Sequence, residues 1–241
     1  MQAKKNIVTT WPNAAALALS AANLIVIESN KAIVTKGYFT IALSGGSTPK
    51  LLFELLATAP FAKNIQWKKV FVFFGDERFV PHTSAESNYK MAFDTLLSKV
   101  GIPPKNIFGI KTADTSPAQS ATYYEQAVKK YVDARRPFDM ILLGIGEEGH
   151  TASIFPGSAL LGEKKKLVKE VFVKEKDMWR ISFTLPLINR AKNVAFLVSG
   201  DGKKDILKTI FSAKGKKLPA AMVQPAGNLC WFIDEAAAAS L

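Results

Sequence analysis

At 241 residues, 48% of them hydrophobic, the chain is long and apolar enough to bury a substantial core, which excludes disorder. Lysine and arginine exceed aspartate and glutamate by 32 − 20 = 12, so the surface attracts anions, whether phosphorylated metabolites or nucleic acid. The lysines at residues 164–166, 203–204 and 214–217 form short clusters with no interleaved aromatics, the pattern of solvated faces and not of a single-strand-binding stripe.

No segment reaches eighteen uninterrupted apolar residues, and the start Met-Gln-Ala-Lys-Lys-Asn-Ile-Val-Thr-Thr lacks the apolar region of a signal peptide. A soluble cytoplasmic protein with no membrane partner is the expectation. The single cysteine, Cys230, sits in an apolar run and reads as a buried small hydrophobe. It permits neither an internal disulfide nor a cysteine-based metal site.

In chain order, Asn13 is placed to cap a helix that runs towards Lys36, with Gly37 as its stop. Residues 38–43 read as a buried strand and 48–56 as a helix with Pro49 in its first turn. Strand 70–74, helix 86–100, a short strand 107–110 and helix 117–134 follow. Residues 138–143 (F-D-M-I-L-L) have the apolar run of a strand buried on both faces. Runs 167–174 and 180–184 suggest a hairpin or neighbouring strands. Strand 194–198, helix 203–211, strand 229–233 and a frayed helix at 236–239 complete the reading. Strands alternating with helices predict a single α/β domain over residues 1–241, with a mostly parallel, doubly wound sheet covered on both faces.

Three loops carry candidate chemistry. Ser44-Gly45-Gly46-Ser47-Thr48-Pro49 joins a strand to a helix; two bare glycines, three hydroxyls and a helix N-terminus can cradle a phosphate, although an ordinary capped turn uses the same residues. It is neither a Walker A sequence nor a dinucleotide fingerprint. Gly75-Asp76-Glu77-Arg78 follows the next strand without a spacer, so at least one of its charges should face the crevice. Asp76 could orient a water or a sugar hydroxyl, and Arg78 could stabilise charge on a carbonyl oxygen. Ser87-Asn88 opens the next helix as a cap.

The third loop, Gly144-Ile145-Gly146-Glu147-Glu148-Gly149-His150, brings one of only two histidines to the carboxyl end of a strand, where open α/β sheets build their sites. Imidazole suits proton transfer near pH 7, though a histidine that only caps a turn has the same local sequence. Arg180 and Lys203 lie near strand ends, where each is a surface cation or a phosphate partner.

These blocks, in this order, resemble the glucosamine-6-phosphate isomerase/6-phosphogluconolactonase superfamily. S-G-G-S-T-P, D-E-R-F-V-P, G-I-G-E-E-G-H-T-A-S-I-F-P-G, R-I-S-F-T-L-P-L-I-N and G-D-G-K span most of the chain. Arg78 and T-A-S-I-F-P favour the lactonase branch over the deaminases. The resemblance implies hydrolysis of 6-phospho-D-glucono-1,5-lactone in the pentose phosphate pathway. In that reading His150 is the base, Arg78 and Asp76 assist it, and the Ser44 to Thr48 loop holds the phosphate with Arg180 and Lys203. No metal and no nucleotide cofactor are implied. The expected partner is the small-molecule lactone, not nucleic acid, with the chain a monomer or weak homo-oligomer. The family usually has Asp directly before Gly-His, where this chain has Glu148, one methylene longer. Rival readings are an amino-sugar-phosphate isomerase or deaminase, a sugar-phosphate-binding regulator and a basic nucleic-acid-binding module.

Overall fold

The computed structural model describes residues 6–241; residues 1–5, the front of the segment read above as no signal peptide, lie outside the described residues. Strand β1 (Asn6–Trp11) leads to α1 (Ala14–Lys36), whose first turn is closed by Asn13 accepting from the Ala16 N–H at 3.0 Å. At its end Gly37, at φ 86°, donates to the Ile33 carbonyl, a left-handed stop. Then come β2 (Phe39–Leu43), α2 (Ser47–Leu56), α3 (Phe61–Asn64), β3 (Val70–Phe74), β4 (Asp76–Arg78), α4 (Asn88–Ala92) and α5 (Pro117–Tyr131). The second half holds β5 (Met140–Leu143), β6 (Val168–Val173), β7 (Met178–Phe183), α6 (Leu185–Ile188), β8 (Asn193–Val198), α7 (Lys204–Phe211), β9 (Asn228–Asp234) and α8 (Glu235–Ala238).

Six strands form a sheet in the order β1-β9-β8-β5-β2-β3, every neighbouring pair parallel. Strands β2, β5 and β8 are buried throughout, as a sheet covered on both faces requires. The expected α/β fold with a mostly parallel, helix-flanked sheet is therefore what the chain adopts. The winding moves outward from β2 to β3 and in the opposite direction from β5 through β8 to β9, so the switch point falls between β2 and β5. Ligands bind at the carboxyl ends of the strands at such a point.

A second, antiparallel sheet, β4-β7-β6, abuts the first. Gly75 joins the two: its N–H donates to the Leu43 carbonyl, and its carbonyl accepts from the Phe183 N–H, both at 2.8 Å. Buried apolar side chains from both sheets belong to one cluster. Helix α1 has the length and composition to cross a membrane, but Leu17, Ala21, Ala22, Ile25 and Ile33 are buried in the core and the helix packs on β2 and β9.

Several sequence expectations are corrected. Residues 107–110 make no strand; Ile107 forms a lone bridge to Val72 beside β3, after the 3-10 turn begun by Pro104. Helix 86–100 is shorter and changes pitch, with α4 passing into a π-helical segment at Phe93–Leu97. Strand β1 carries no mark in the sequence, because an edge strand exposed along most of its length shows no buried apolar run. The C-terminal helix is capped rather than frayed: Asp234 accepts from the Ala237 N–H at 2.9 Å.

Candidate active site

A crevice of about 230 Å³ opens over the switch point, lined by Ser44, Gly45 and Gly46 after β2, Asp76 and Arg78 of β4, and Asn88 of α4. Gly144 to Gly146, His150 and Ala152 after β5, Arg180 of β7 and Lys203 after β8 complete it. Ser44, His150 and Lys203, separated by as much as 159 positions in sequence, thus meet because their strands are parallel and end on one side, and the antiparallel β4–β7 pair adds Asp76, Arg78 and Arg180.

Strand β4 explains which acidic residue enters. Side chains alternate along a strand, so Asp76 and Arg78 share the crevice face while Glu77 points to the other. There Glu77, 1% exposed, accepts from the Arg78, Asn88 and Tyr89 N–H groups at 2.8 Å and from the Ser87 hydroxyl at 3.0 Å. Burial pushes its carboxyl pKa up, against those donors. Glu77 therefore anchors the start of α4, which Ser87 also caps.

Asp76 is held by the Ser153 hydroxyl at 2.6 Å and by the Asn88 amide at 3.3 Å. The Asn88 amide also donates to the Asp76 carbonyl and lies against Gly45, where a Cβ would fall 2.0 Å from Asn88 Oδ1. Arg78 and Arg180 are directly opposed across β4 and β7, a pairing of like charges that costs stability unless anions intervene. Arg180 Nη1 is 4.0 Å from Asp76 Oδ2, Arg78 donates to the Glu86 carbonyl, and the Nε of each arginine is buried without a hydrogen-bond partner.

His150 follows Gly149, at φ 83°, and its imidazole lies over Gly146, where a Cβ would come within 2.0 Å of Nδ1. Only a residue without a side chain fits there. Glu148 Oε2 approaches Nδ1 at 3.1 Å but off the N–H axis, so the contact is close without being an aligned hydrogen bond. Burial pushes His150 below its ordinary pKa; Glu148 and Asp76 pull it up, and Arg180 pulls it down. The net direction is downward, which favours the uncharged imidazole, the form of a base. Burial acts to raise Glu148, yet its own N–H, His150 and Lys203 together hold its carboxyl below the usual range.

The predicted site residues are thus largely convergent. Three sit differently, and the first, Glu148, touches His150 without lining the crevice. Thr48 is buried with its hydroxyl 2.6 Å from Ser199 Oγ, which ties the glycine loop to the loop bearing Lys203 instead of facing the crevice. Ser47 is exposed in the first turn of α2 and does not line the crevice. Sequence reasoning missed Ser153 and gave Asn88 only a capping role; the position of Asn88 one residue after the cap of α4 was the available signal. His82 bonds the Ile110 carbonyl at 2.8 Å and stacks on Tyr89, away from the crevice. Among the described residues no three His, Cys, Asp or Glu side chains converge as a metal site needs.

A family profile described as glucosamine-6-phosphate isomerases/6-phosphogluconolactonase matches residues 12–231. A protein of Nostoc sp. named 6-phosphogluconolactonase is 40% identical, over 98% of this chain and 99% of its own. A chloroplastic 6-phosphogluconolactonase 3 of Arabidopsis thaliana is 37% identical over 93% of this chain and 72% of that protein, so kinship alone fixes no compartment. Among solved structures, the 6-phosphogluconolactonase of Trypanosoma brucei superposes with a TM-score of 0.84 at 29% identity, covering 99% of this chain and all of that one.

Proposed function

The chain belongs to the glucosamine-6-phosphate isomerase/6-phosphogluconolactonase family, and from that premise we propose that it hydrolyses 6-phospho-D-glucono-1,5-lactone to 6-phosphogluconate. The observation that carries the reading is an imidazole in one small crevice with Arg78, Arg180 and Lys203. A base among cations fits an anionic ester better than it fits an amine substrate. Glu148 occupies the Nδ1 side of His150, which leaves Nε2 for the crevice.

In this mechanism a water oxygen bonds to the lactone carbonyl carbon as His150 takes the water proton. Negative charge then gathers on the carbonyl oxygen, where Arg78 supplies donors. Collapse breaks the bond from that carbon to the ring oxygen, and His150 returns the proton to the leaving oxygen. Asp76, fixed by Ser153 and Asn88, orients the water or a sugar hydroxyl. Ser44 and the Gly45-Gly46 backbone, with Lys203 and Arg180, hold the phosphate. In this reading residues 1–241 work as one unit.

The test is a stopped assay of lactone loss, compared with buffer because the ester also opens unaided, run beside glucosamine 6-phosphate. Enzyme-dependent loss of the lactone without release of ammonia is the expected result. Ammonia release with no lactone turnover would instead assign the chain to the deaminases.

A further inference from the structure

His150 and Arg180 leave different elements, the loop after β5 and strand β7, yet both rest on one ring. The Phe155 ring stacks on the imidazole with centroids 4.1 Å apart and planes 25° apart. The guanidinium carbon of Arg180 lies 5.6 Å from the same centroid. Phe155 is outside the crevice lining and packs against the core. Its place is fixed by the bridge between Thr151 and Ile154 before it and by its carbonyl accepting from the Ser158 N–H at 3.1 Å.

Polar contacts alone do not hold the two heads. The Glu148 contact to His150 is off-axis, Asp76 is 4.0 Å from Arg180, and Arg180 Nε has no hydrogen-bond partner. Such contacts leave each head free to pivot, whereas ring stacking fixes a plane. We propose that Phe155 is a positioning residue, a shared platform that sets the plane of His150 and its spacing from Arg180. It thereby aligns proton transfer with the neighbouring positive charge. In its catalytic arm this rests on the hydrolase reading above.

The charged groups around His150 are Glu148 on its own loop, 3.1 Å from Nδ1, and the crevice charges Asp76 and Arg78 on β4, Arg180 on β7 and Lys203 after β8. Substitution at Phe155 alters none of them chemically. The ring excludes water from one face of the imidazole, and burial is the main cause of the low pKa of His150, so uncovering that face should let it climb.

The chain has only two histidines, so an NMR titration yields two imidazole curves, and His82, away from Phe155, is the internal control for folding. In Phe155→Leu the His150 midpoint should rise, the His82 curve should stay, and lactone turnover should fall about tenfold or more, as misplaced catalytic groups do. Phe155→Tyr keeps the ring and should leave titration and turnover near those of the parent. A Phe155→Leu protein with parental His150 titration or parental turnover overturns the proposal, as does a Phe155→Tyr protein equally impaired. Should the parent itself fail to hydrolyse the lactone, the hydrolase reading falls alone, because the two titrations still decide whether Phe155 holds His150.

Discussion

At the scale of single residues, the site turns on the imidazole of His150, on which burial and the nearby carboxylates act in opposite directions. Removing it in His150→Ala should lower lactone turnover by about a hundredfold or more with little change in KM, the loss expected for a general base; steady-state kinetics on the folded variant checks this. Glu148 tests the balance of forces on that ring. Burial lowers the His150 pKa and the Glu148 carboxylate raises it, so Glu148→Gln, which keeps size and removes charge, should lower it further. A base acts when deprotonated, so the acidic limb of the kcat/KM profile should move to lower pH, while Glu148→Asp should keep most activity. An unmoved limb in Glu148→Gln would make this half-exposed residue a bystander. Gly146→Ala should also slow turnover, because its Cβ would displace the imidazole.

At the scale of elements, the parts of the fold that could be read from sequence are those with a clear period or stop signal. The caps at Asn13 and Gly37 and the apolar runs of β2, β3, β5 and β8 all leave local marks. Strand β4 leaves almost none: three charged residues become a strand only because Arg180, Ile181 and Ser182 of β7 pair with them. That tertiary pairing decides that Asp76 enters the crevice and Glu77 does not. The roles of Ser153 and of Thr48, bonded to Ser199 across 151 positions, were hidden for the same reason, since no local pattern announces a partner so distant. Glu77 gives the element-scale prediction. In Glu77→Gln one carboxylate oxygen that now accepts becomes an amide donor facing N–H and O–H donors. Leaving buried donors unpaired costs about 1–3 kcal/mol, so the denaturation midpoint should drop and Asn88, carried by α4, should lose its hold on Asp76. A variant with parental stability would show that the start of α4 is fixed by its other contacts.

At the scale of the whole molecule, parallel strands and a net charge of +12 act on the same event, the arrival of an anion at one end of the sheet. Every strand of the large sheet points its carboxyl end to the crevice side, so its loops collect there, and Arg78, Arg180 and Lys203 give that end local positive charge. The remaining lysines act from a distance, through a field that salt screens over about 8–10 Å at ordinary ionic strength. Cations within the crevice are screened much less. Two electrostatic contributions can therefore be separated by substrate and by salt. For the phosphorylated lactone, raising ionic strength should lower kcat/KM, because long-range attraction of an anion fades. For the uncharged glucono-1,5-lactone it should not. Lys203→Ala should weaken the phosphorylated substrate selectively, since a charge-assisted contact contributes about 1.5–3 kcal/mol, and the salt slope should survive, because one lysine of an excess of twelve charges barely alters the distant field. Kinetics of both lactones across a salt series, in the parent and in Lys203→Ala, measures the two effects together. Equal salt slopes for the two substrates would mean that the positive surface does not steer this ligand and that its phosphate is recognised only on contact.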